Sequence, residues 1–513
     1  MLLYFNRAAG AGSGGGRLVA APCEAVFSTN CDTLNRMNKI TRRSLLRGAA
    51  AYPALFHIVR AAKPTDIRIE DVRYTYEDYI YRTPIKFGGS VLDRATIINV
   101  NCTVRTAGGK VSKGFGSMPM GNVWSFPSKT LTYPDTLGAM KALAGQISKL
   151  TSGYKDSGHP IDINVALEPE YLKAALEVAR QQKLKEPIPK LCTLVTASAF
   201  DAAVHDAFGK AHGLNCYRTY GADFMTHDLS RYLGPAFKGE YLSQYVSKDP
   251  KPSMPLYHLV GAVDPLTKDD IKKPVGDGLP ETLPEWIQYN GLTNLKIKLN
   301  GDQVEWDIDR VISVDKVTAE AQKQRGQAKW VYSLDFNEKC PNVEYLLAFL
   351  RKVKEKSAAA FDRIQYVEQP TARDLKAHRE QDMHKAALLK PVVIDESLTD
   401  IENLMLSREM GYTGAALKAC KQQSQAMLMA AVGQKHKMFL CVQDLTCPGA
   451  SLIHSAGIAA RVPTVAGIEA NARQYFPAAN KGWDERFPGI FKITDGTMKT
   501  GVLDGLGLGA VPA

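Results

Sequence analysis

An α/β chain built around a TIM-type barrel of eight parallel strands and eight helices is what this sequence predicts, with a small α+β domain ahead of it. Three observations carry the prediction. Five short apolar runs, LTNLKIKLN, KWVYSLDFNE, RIQYVEQP, PVVIDES and GAALKACK, each carry ionisable residues at or near their ends. The charged stations Lys298, Asp335, Glu368, Asp395 and Lys418 follow one another at intervals of 37, 33, 27 and 23 residues, and a strand with its crossover helix and loops needs about 25 to 35. Upstream, alternating stretches precede helical ones, the order of an α+β unit.

Taken in order, residues 1–62 read as a leader. The first 36, rich in Gly and Ala, read as a disordered extension or an upstream start. From Met37, MNKITRRSLLRGAAAYPALFHIVRAA places a twin arginine before a short apolar stretch. This resembles a bacterial Tat export signal, which implies an exported, periplasmic protein, with a cytoplasmic one as the alternative. His57 and Arg60 interrupt the stretch, which is too short to span a membrane. Residues 63–195 are the α+β domain: IRIEDVRYTYEDYIY and ATIINVNCTVRT alternate as strands do, and PDTLGAMKALAGQISKLT and PEYLKAALEVARQQK read as helices.

Residues 196–470 hold the barrel. PAFKGEYLSQYVSKDPKPSM (235–254) is a polar crossover, and PLYHLVGAV is the first strand. In LKIKL, Leu295, Ile297 and Leu299 share one face and Lys296 and Lys298 the other. With the apolar face against the helices, both ammonium groups point inward, where they need anionic partners or an altered pKa. Asp335, Glu368 and Asp395 end the next three strands and could not converge without a cation. An all-oxygen set completed by water and substrate suits Mg²⁺ better than zinc. In a barrel, chemistry gathers at these strand ends. The seventh strand, FLCVQDLTCPGAS, ends on Gln443 and Asp444; the eighth, VAGIEANARQYF, brings Glu469 and Asn471 to the mouth, within reach of substrate.

These runs in this order, with TASAFDAAVHDAFGKAHGLNCYRTYG (195–220) ahead of them, resemble the enolase superfamily, and within it the muconate-lactonizing branch that includes dipeptide epimerases and o-succinylbenzoate synthases. The resemblance covers nearly everything from about residue 68 onward. Any one tetrapeptide is weak; their order and spacing are specific. The resemblance implies an enolase-like modified barrel, with 195–220 as its entry helix and a capping domain completed by residues 471–513. It makes Asp335, Glu368 and Asp395 the ligands of Mg²⁺, with Mn²⁺ as a substitute. Lys298 becomes the acid/base on one face of the substrate, Lys296 its supporting cation, and Lys418 the lysine on the opposite face. A sister branch uses a His-Asp pair on the sixth and seventh strands; the absence of a histidine beside Asp444 favours the two-lysine branch. The usual Gly-Gly after the sixth-strand lysine is replaced by Gln422 and Gln423, which leaves the metal site intact and the substrate open. Two cap loops, 85–93 and 114–128, would close over the substrate. Phe87, Met118 and Trp124 are their candidate substrate contacts, with Asp444 and Glu469 from the barrel. The second loop is rich in Gly, Met and aromatics, which suits a lid over an apolar group and equally a loop packed on the barrel. The partner implied is a small-molecule carboxylate, and family members are commonly homo-oligomeric.

Removing a proton next to a carboxylate creates a dianionic enolate, so the developing charge must be stabilised; Mg²⁺ and Lys296 would do so. The base must be neutral when it acts, and a neighbouring ammonium and cation would push Lys298 towards neutral pH. Enolase-type sites are a known case of a Lys or His base beside magnesium, so the pattern is an established one. Lysines on both faces make racemisation or epimerisation the most economical outcome, with cycloisomerase, dehydratase and o-succinylbenzoate-synthase-like elimination as variants. A catalytically idle, metal-binding barrel is the alternative of another class, but such a barrel has no need of three lysines as well as three carboxylates.

Blander readings apply to several neighbours. Glu338 in LDFNEKCPN suits a turn or helix cap, Ser397 or Thr399 would cap the helix DIENLMLSREM and leave Glu396 in that class, and Lys421 reads as a surface residue. Composition excludes other functions: of the net charge of +11, +6 lies in residues 1–62, where eight Lys/Arg face two acids, and no nucleic-acid motif accompanies the mildly basic remainder. Nine cysteines without a CxxC pair argue for core residues and against a disulfide framework.

Overall fold

A computed structural model describes residues 63–87, 89–465 and 467–511; the leader and export signal expected in residues 1–62 lie outside them. Two layers precede the barrel. The strands β1 (Ile67–Phe87), β2 (Ser90–Thr106) and β3 (Val111–Pro119) form an antiparallel meander. The β1–β2 hairpin is longer than the alternation suggests. A register shift between Ile80 and Ile85 absorbs Pro84 as an irregularity, and pairing resumes to Phe87. Against this sheet lie α1 (Tyr133–Gly153) and α3 (Lys190–His212), with α2 (Pro160–Gln181) packed on those two helices, the main helices of eight or more residues being numbered in chain order. Thr132 and Asp135 close a reciprocal capping box at the start of α1.

The segment 114–119, expected as part of a loop, is strand β3 seated on α3. A Cβ at Gly116 would overlap Ala199 O and stand 2.7 Å from Ala203 N, so only glycine permits this approach. The entry helix α3 is buried along nearly its whole length, between the cap sheet and the barrel, and position 195 falls inside it.

The barrel strands are β4 (Met254–Val260), β5 (Asn294–Lys298), β6 (Val331–Asp335), β7 (Ile364–Glu368), β8 (Val392–Ile394), β9 (Gly414–Leu417), β10 (Phe439–Val442) and β11 (Ile468–Glu469). All are parallel, paired in sequence order, and β11 closes on β4. Outside them run α4 (Leu283–Asn290), α5 (Val304–Gln324), α6 (Val343–Lys356), α7 (Ile401–Glu409), α8 (Gln423–Lys435) and α9 (Gly449–Ala459). The interior is a packed core. Tyr257, Tyr366, Val393, Ala416 and Cys441, one from each of five strands, form an apolar cluster inside the barrel. The C-terminal segment touches several units: β12 (Thr497–Met498) runs antiparallel to β4, while Leu508 N donates to Asp206 on α3. The seven described cysteines are buried and unpaired. No described helix is long and apolar enough to cross a membrane.

Candidate active site

Register places the charged residues. Lys298, Asp335 and Glu368 are direct neighbours across β5, β6 and β7, and Glu368 pairs with Val393, two residues before Asp395. All therefore share the inward face at the C-terminal strand ends. Lys418 directly follows β9, four strands from β5 in a closed barrel of eight. Lys298 and Lys418 thus stand on diametrically opposite walls, with the three carboxylates on the arc between.

Every one of these groups is buried. Lys296 Nζ lies 2.8 Å from Glu368 Oε1, 2.8 Å from Glu469 Oε2 and 3.0 Å from Asp335 Oδ2. Burial works against its charge, but the three carboxylates outweigh it and hold the ammonium well above the usual lysine range. Lys298 Nζ donates to Asp335 Oδ2 at 2.5 Å and to Asn337 Oδ1 at 3.0 Å. Asp335 resists burial in the same way and is held well below the ordinary carboxyl range by Lys296 and then Lys298. Lys418 Nζ is 2.8 Å from Asp395 Oδ2, and this carboxylate keeps the lysine protonated against burial. Glu368 goes the other way. Burial and then the neighbouring Asp335 push it well above its ordinary value, although Lys296 touches it.

Two residues set aside as bland belong to this cluster. Lys421 is not on the surface: it is buried and donates to Asp395 Oδ1 at 3.0 Å and to the Asp395 carbonyl at 2.5 Å. Glu396 is not a helix cap; Asp400 caps α7, through Asn403 N. Glu396 Oε1 instead accepts from Trp124 Nε1 at 2.9 Å and from Asn337 Nδ2 at 3.0 Å. Burial and then Asp395 push Glu396 up to about 6. Glu338 pairs with Arg373 at 2.6 Å, and Arg373 Nη1 donates to the Trp124 carbonyl, so this pair ties the cap to the barrel.

The expected substrate contacts divide. Trp124 closes the cluster from above, its ring centroid 4.6 Å from Lys418 Nζ and 5.5 Å from Lys421 Nζ, within cation–π range. Glu469 is engaged by Lys296, and Asn471 Nδ2 donates to its other oxygen at 3.1 Å. Asp444 accepts from Thr446 N and Cys447 N and holds the loop after β10; burial and then Glu469 push it up to about 7. Met118 is fully buried against Cys447 Sγ at 3.6 Å, a core residue between cap and barrel rather than a pocket wall. Phe87 ends β1 opposite Ser90, and its side chain lies outside the described residues. Sequence reasoning passed over Gln443 as a partner; its amide donates to Glu368 Oε2.

Backbone strain gathers at the same rim. Asn337, Glu338, Gln369, Gln422 and Thr446 all have positive φ, and all follow strand ends. Gln422, at φ 80° and ψ 143°, holds a conformation that glycine adopts freely. Its Oε1 accepts from Asn164 on α2, which fastens this turn to the cap.

As the side chains stand, ammonium groups are the carboxylates' close partners, and no three Asp, Glu, His or Cys side chains among the described residues converge closely enough to hold a metal. The donor chemistry nevertheless fits a hard divalent cation. Three carboxylates end consecutive strands, Asp395 Oδ2 is buried without a well-aligned hydrogen bond despite Lys418 beside it, and Glu368 is driven towards protonation by burial and then by the negative charge of Asp335.

No family model matches the chain, and no curated protein sequence matches it. Solved structures do. A substrate-liganded L-Ala-D/L-Glu epimerase from Bacillus subtilis superposes with a TM-score of 0.56 at 16% identity, covering 87% of this chain and 99% of that one. An enolase from Bradyrhizobium complexed with magnesium and mandelic acid gives 0.54 at 13% identity, covering 87% and 96%. A dipeptide epimerase from Enterococcus faecalis complexed with Mg and the dipeptide L-Leu-L-Tyr gives 0.53 at 14% identity, covering 86% and 99%. At these identities the likeness is one of fold: a TIM barrel with a capping domain, shared over nearly the full length of each.

Proposed function

We propose that the protein is an isomerase of the enolase superfamily, in its muconate-lactonizing branch, that removes the proton α to a substrate carboxylate and returns one to the opposite face. The observation that carries this reading is the opposition of Lys298 on β5 and Lys418 after β9 across a buried arc of carboxylates. Asp335, Glu368 and Asp395 would hold Mg²⁺, or Mn²⁺ in its place, and the bound ion would supply Lewis-acid stabilisation of the enolate oxygens. The rest of the chemistry belongs to side chains. Lys298, released by Asp335 and Asn337 and made neutral by loss of a proton to solvent, takes the α-proton on Nζ. Lys296, kept charged by its carboxylates, faces the growing negative charge. Lys418, kept protonated by Asp395, delivers a proton from the other wall. Trp124 seals the mouth and excludes water that would quench the intermediate.

Racemisation or epimerisation uses both lysines and is favoured; cycloisomerisation or elimination would begin with the same abstraction. The experiment is exchange in deuterated water. Purified full-length protein with Mg²⁺ is incubated with a panel of α-substituted carboxylates, including N-acyl amino acids, dipeptides and hydroxy acids. Deuterium at Cα of at least one member is expected; no incorporation in any member, with the protein folded and metal present, counts against the reading.

A further inference from the structure

The helix α2 carries two apolar faces, and only one of them has a partner. Ile161, Leu167, Tyr171, Ala175 and Val178 are buried on the side packed against α1 and α3. On the outer side Val165, Pro169, Leu172 and Leu176 follow one another at four, three and four residues, the spacing of a single seam along a helix. Leu176 is 63% exposed and Val165 39%; Pro169 is exposed and Leu172 half-buried. One exposed leucine is ordinary, but four apolar residues in one seam make a face.

The seam is complementary to itself in one arrangement. Around a two-fold axis through its middle, an antiparallel second α2 sets Val165 against Leu176 and Pro169 against Leu172, so each layer joins unlike residues from the two copies. Charge agrees with this register. Ala166 and Lys173 border the seam on one flank, and Glu170 lies one turn beyond Ala166. Lys173 Nζ stands 2.7 Å from Glu170 Oε1 within the chain, with both side chains exposed. In the antiparallel pair Lys173 of each copy reaches past the small Ala166 to Glu170 of the other. A parallel pair would instead oppose Lys173 to Lys173. The inner side of the same helix holds the strained turn after Lys421, through Asn164 on Gln422 and Glu168 on Gln425. Pairing on the outside therefore braces that turn from behind.

We propose that the outer seam of α2 is a docking face for a second copy of this chain, paired antiparallel across a two-fold axis. One helix pair buries less than the roughly 1,200 Å² of a standard interface, so the dimer is reversible and concentration-dependent. The proposal does not depend on the activity proposed for the barrel.

The test is sedimentation equilibrium of the full chain from about 1 to 200 μM. A monomer–dimer equilibrium is expected. Leu176→Glu, at an exposed position that leaves the fold intact, places a carboxylate in the seam and weakens association by at least about tenfold. Lys173→Glu weakens it about three- to tenfold, and adding Glu170→Lys to that variant restores it. Register is read by cross-linking. Val165→Cys chains mixed with Leu176→Cys chains join through those two positions, identified by mass spectrometry of the linked peptides. Neither variant joins to itself there, since its two thiols lie about 16 Å apart along the pair. A chain that stays monomeric throughout, an assembly unaltered by Leu176→Glu, or self-linking of either cysteine variant in preference to the mixed pair would each overturn the proposal. A monomer in which a thiol reagent fails to reach Leu176→Cys would overturn it too, by placing another segment of the same chain or a foreign protein on the seam.

Discussion

Replacing Asp201 by asparagine should stabilise the protein, by a margin that grows as the pH rises from about 4 to about 7. Asp201 sits on α3, fully buried, and its carboxylate accepts from Ser424 N at 2.8 Å and Ser424 Oγ at 2.7 Å at the start of α8. It joins the entry helix to the segment that follows Lys418 and Lys421. Burial is the largest influence on it, and although the Ser424 bonds favour the charged form, its pKa rises from an ordinary 3.8 to about 7. The sign follows from proton counts. Between about pH 4 and 7 the unfolded chain has lost this proton while the folded protein keeps it, so stability falls as pH rises. Above about 7 both states are ionised and the cost is constant. Roughly three pKa units at ~1.4 kcal/mol each make that cost about 4 kcal/mol, to order of magnitude. Asp201→Asn can still accept from Ser424 N, and the Ser424 hydroxyl can turn to accept from the new amide. Below about pH 4 the variant should match the parent within about 1 kcal/mol; it should be ahead by about 1 to 2 kcal/mol at pH 5 and by up to about 4 kcal/mol at pH 8. Urea unfolding of both proteins at pH 5, 6, 7 and 8 measures this, read as midpoint shifts at constant slope. A variant no more stable than the parent at pH 8, or displaced equally at every pH, would refute the reasoning.

Three further outcomes are expected. Trp124→Phe keeps the ring over Lys418 but deprives Glu396 Oε1 of its 2.9 Å donor. Because Glu396 titrates at about 6, the loss in urea midpoint should be larger at pH 8, where the carboxylate is charged, than at pH 5. Gly116→Ala forces β3 off Ala199 and Ala203; a cost of about 1 to 3 kcal/mol by urea titration is expected, with reduced deuterium exchange because the short helical turn that follows this strand carries Trp124 to the mouth. Chelation should remove α-proton exchange and lower the melting temperature, with Mg²⁺ or Mn²⁺ restoring both. Asp395→Asn should blunt the metal-induced thermal shift.

What the sequence disclosed was whatever depends on a residue's own strand. Lys296, Lys298, Asp335 and Glu368 each belong to a five-residue strand of inward–outward alternation, and their positions were readable because the apolar residues beside them fix the face. Lys421 and Glu396 were misread for the converse reason. Both stand in turns beyond the strands, where periodicity says nothing, and both are buried because Trp124, roughly 270 residues earlier than Glu396, is folded over them. The segment around Met118 looked loop-like through its glycines, yet those glycines are what let β3 lie flush on α3. One signal was available. Gln422 and Gln423 stand where the family resemblance calls for glycine, and Gln422 is strained and held from the cap through Asn164.

The most direct test of the central claim, opposed lysines acting on one α-carbon, is face-resolved exchange with single variants. With a substrate found in the panel, each enantiomer is incubated in deuterated water with Lys298→Ala and with Lys418→Ala, and deuterium at Cα is followed by NMR. The account predicts that each variant loses interconversion of the enantiomers but still exchanges the α-proton of one of them, a different one in each variant. Exchange of the same enantiomer in both variants, or unaltered interconversion in either, would contradict it.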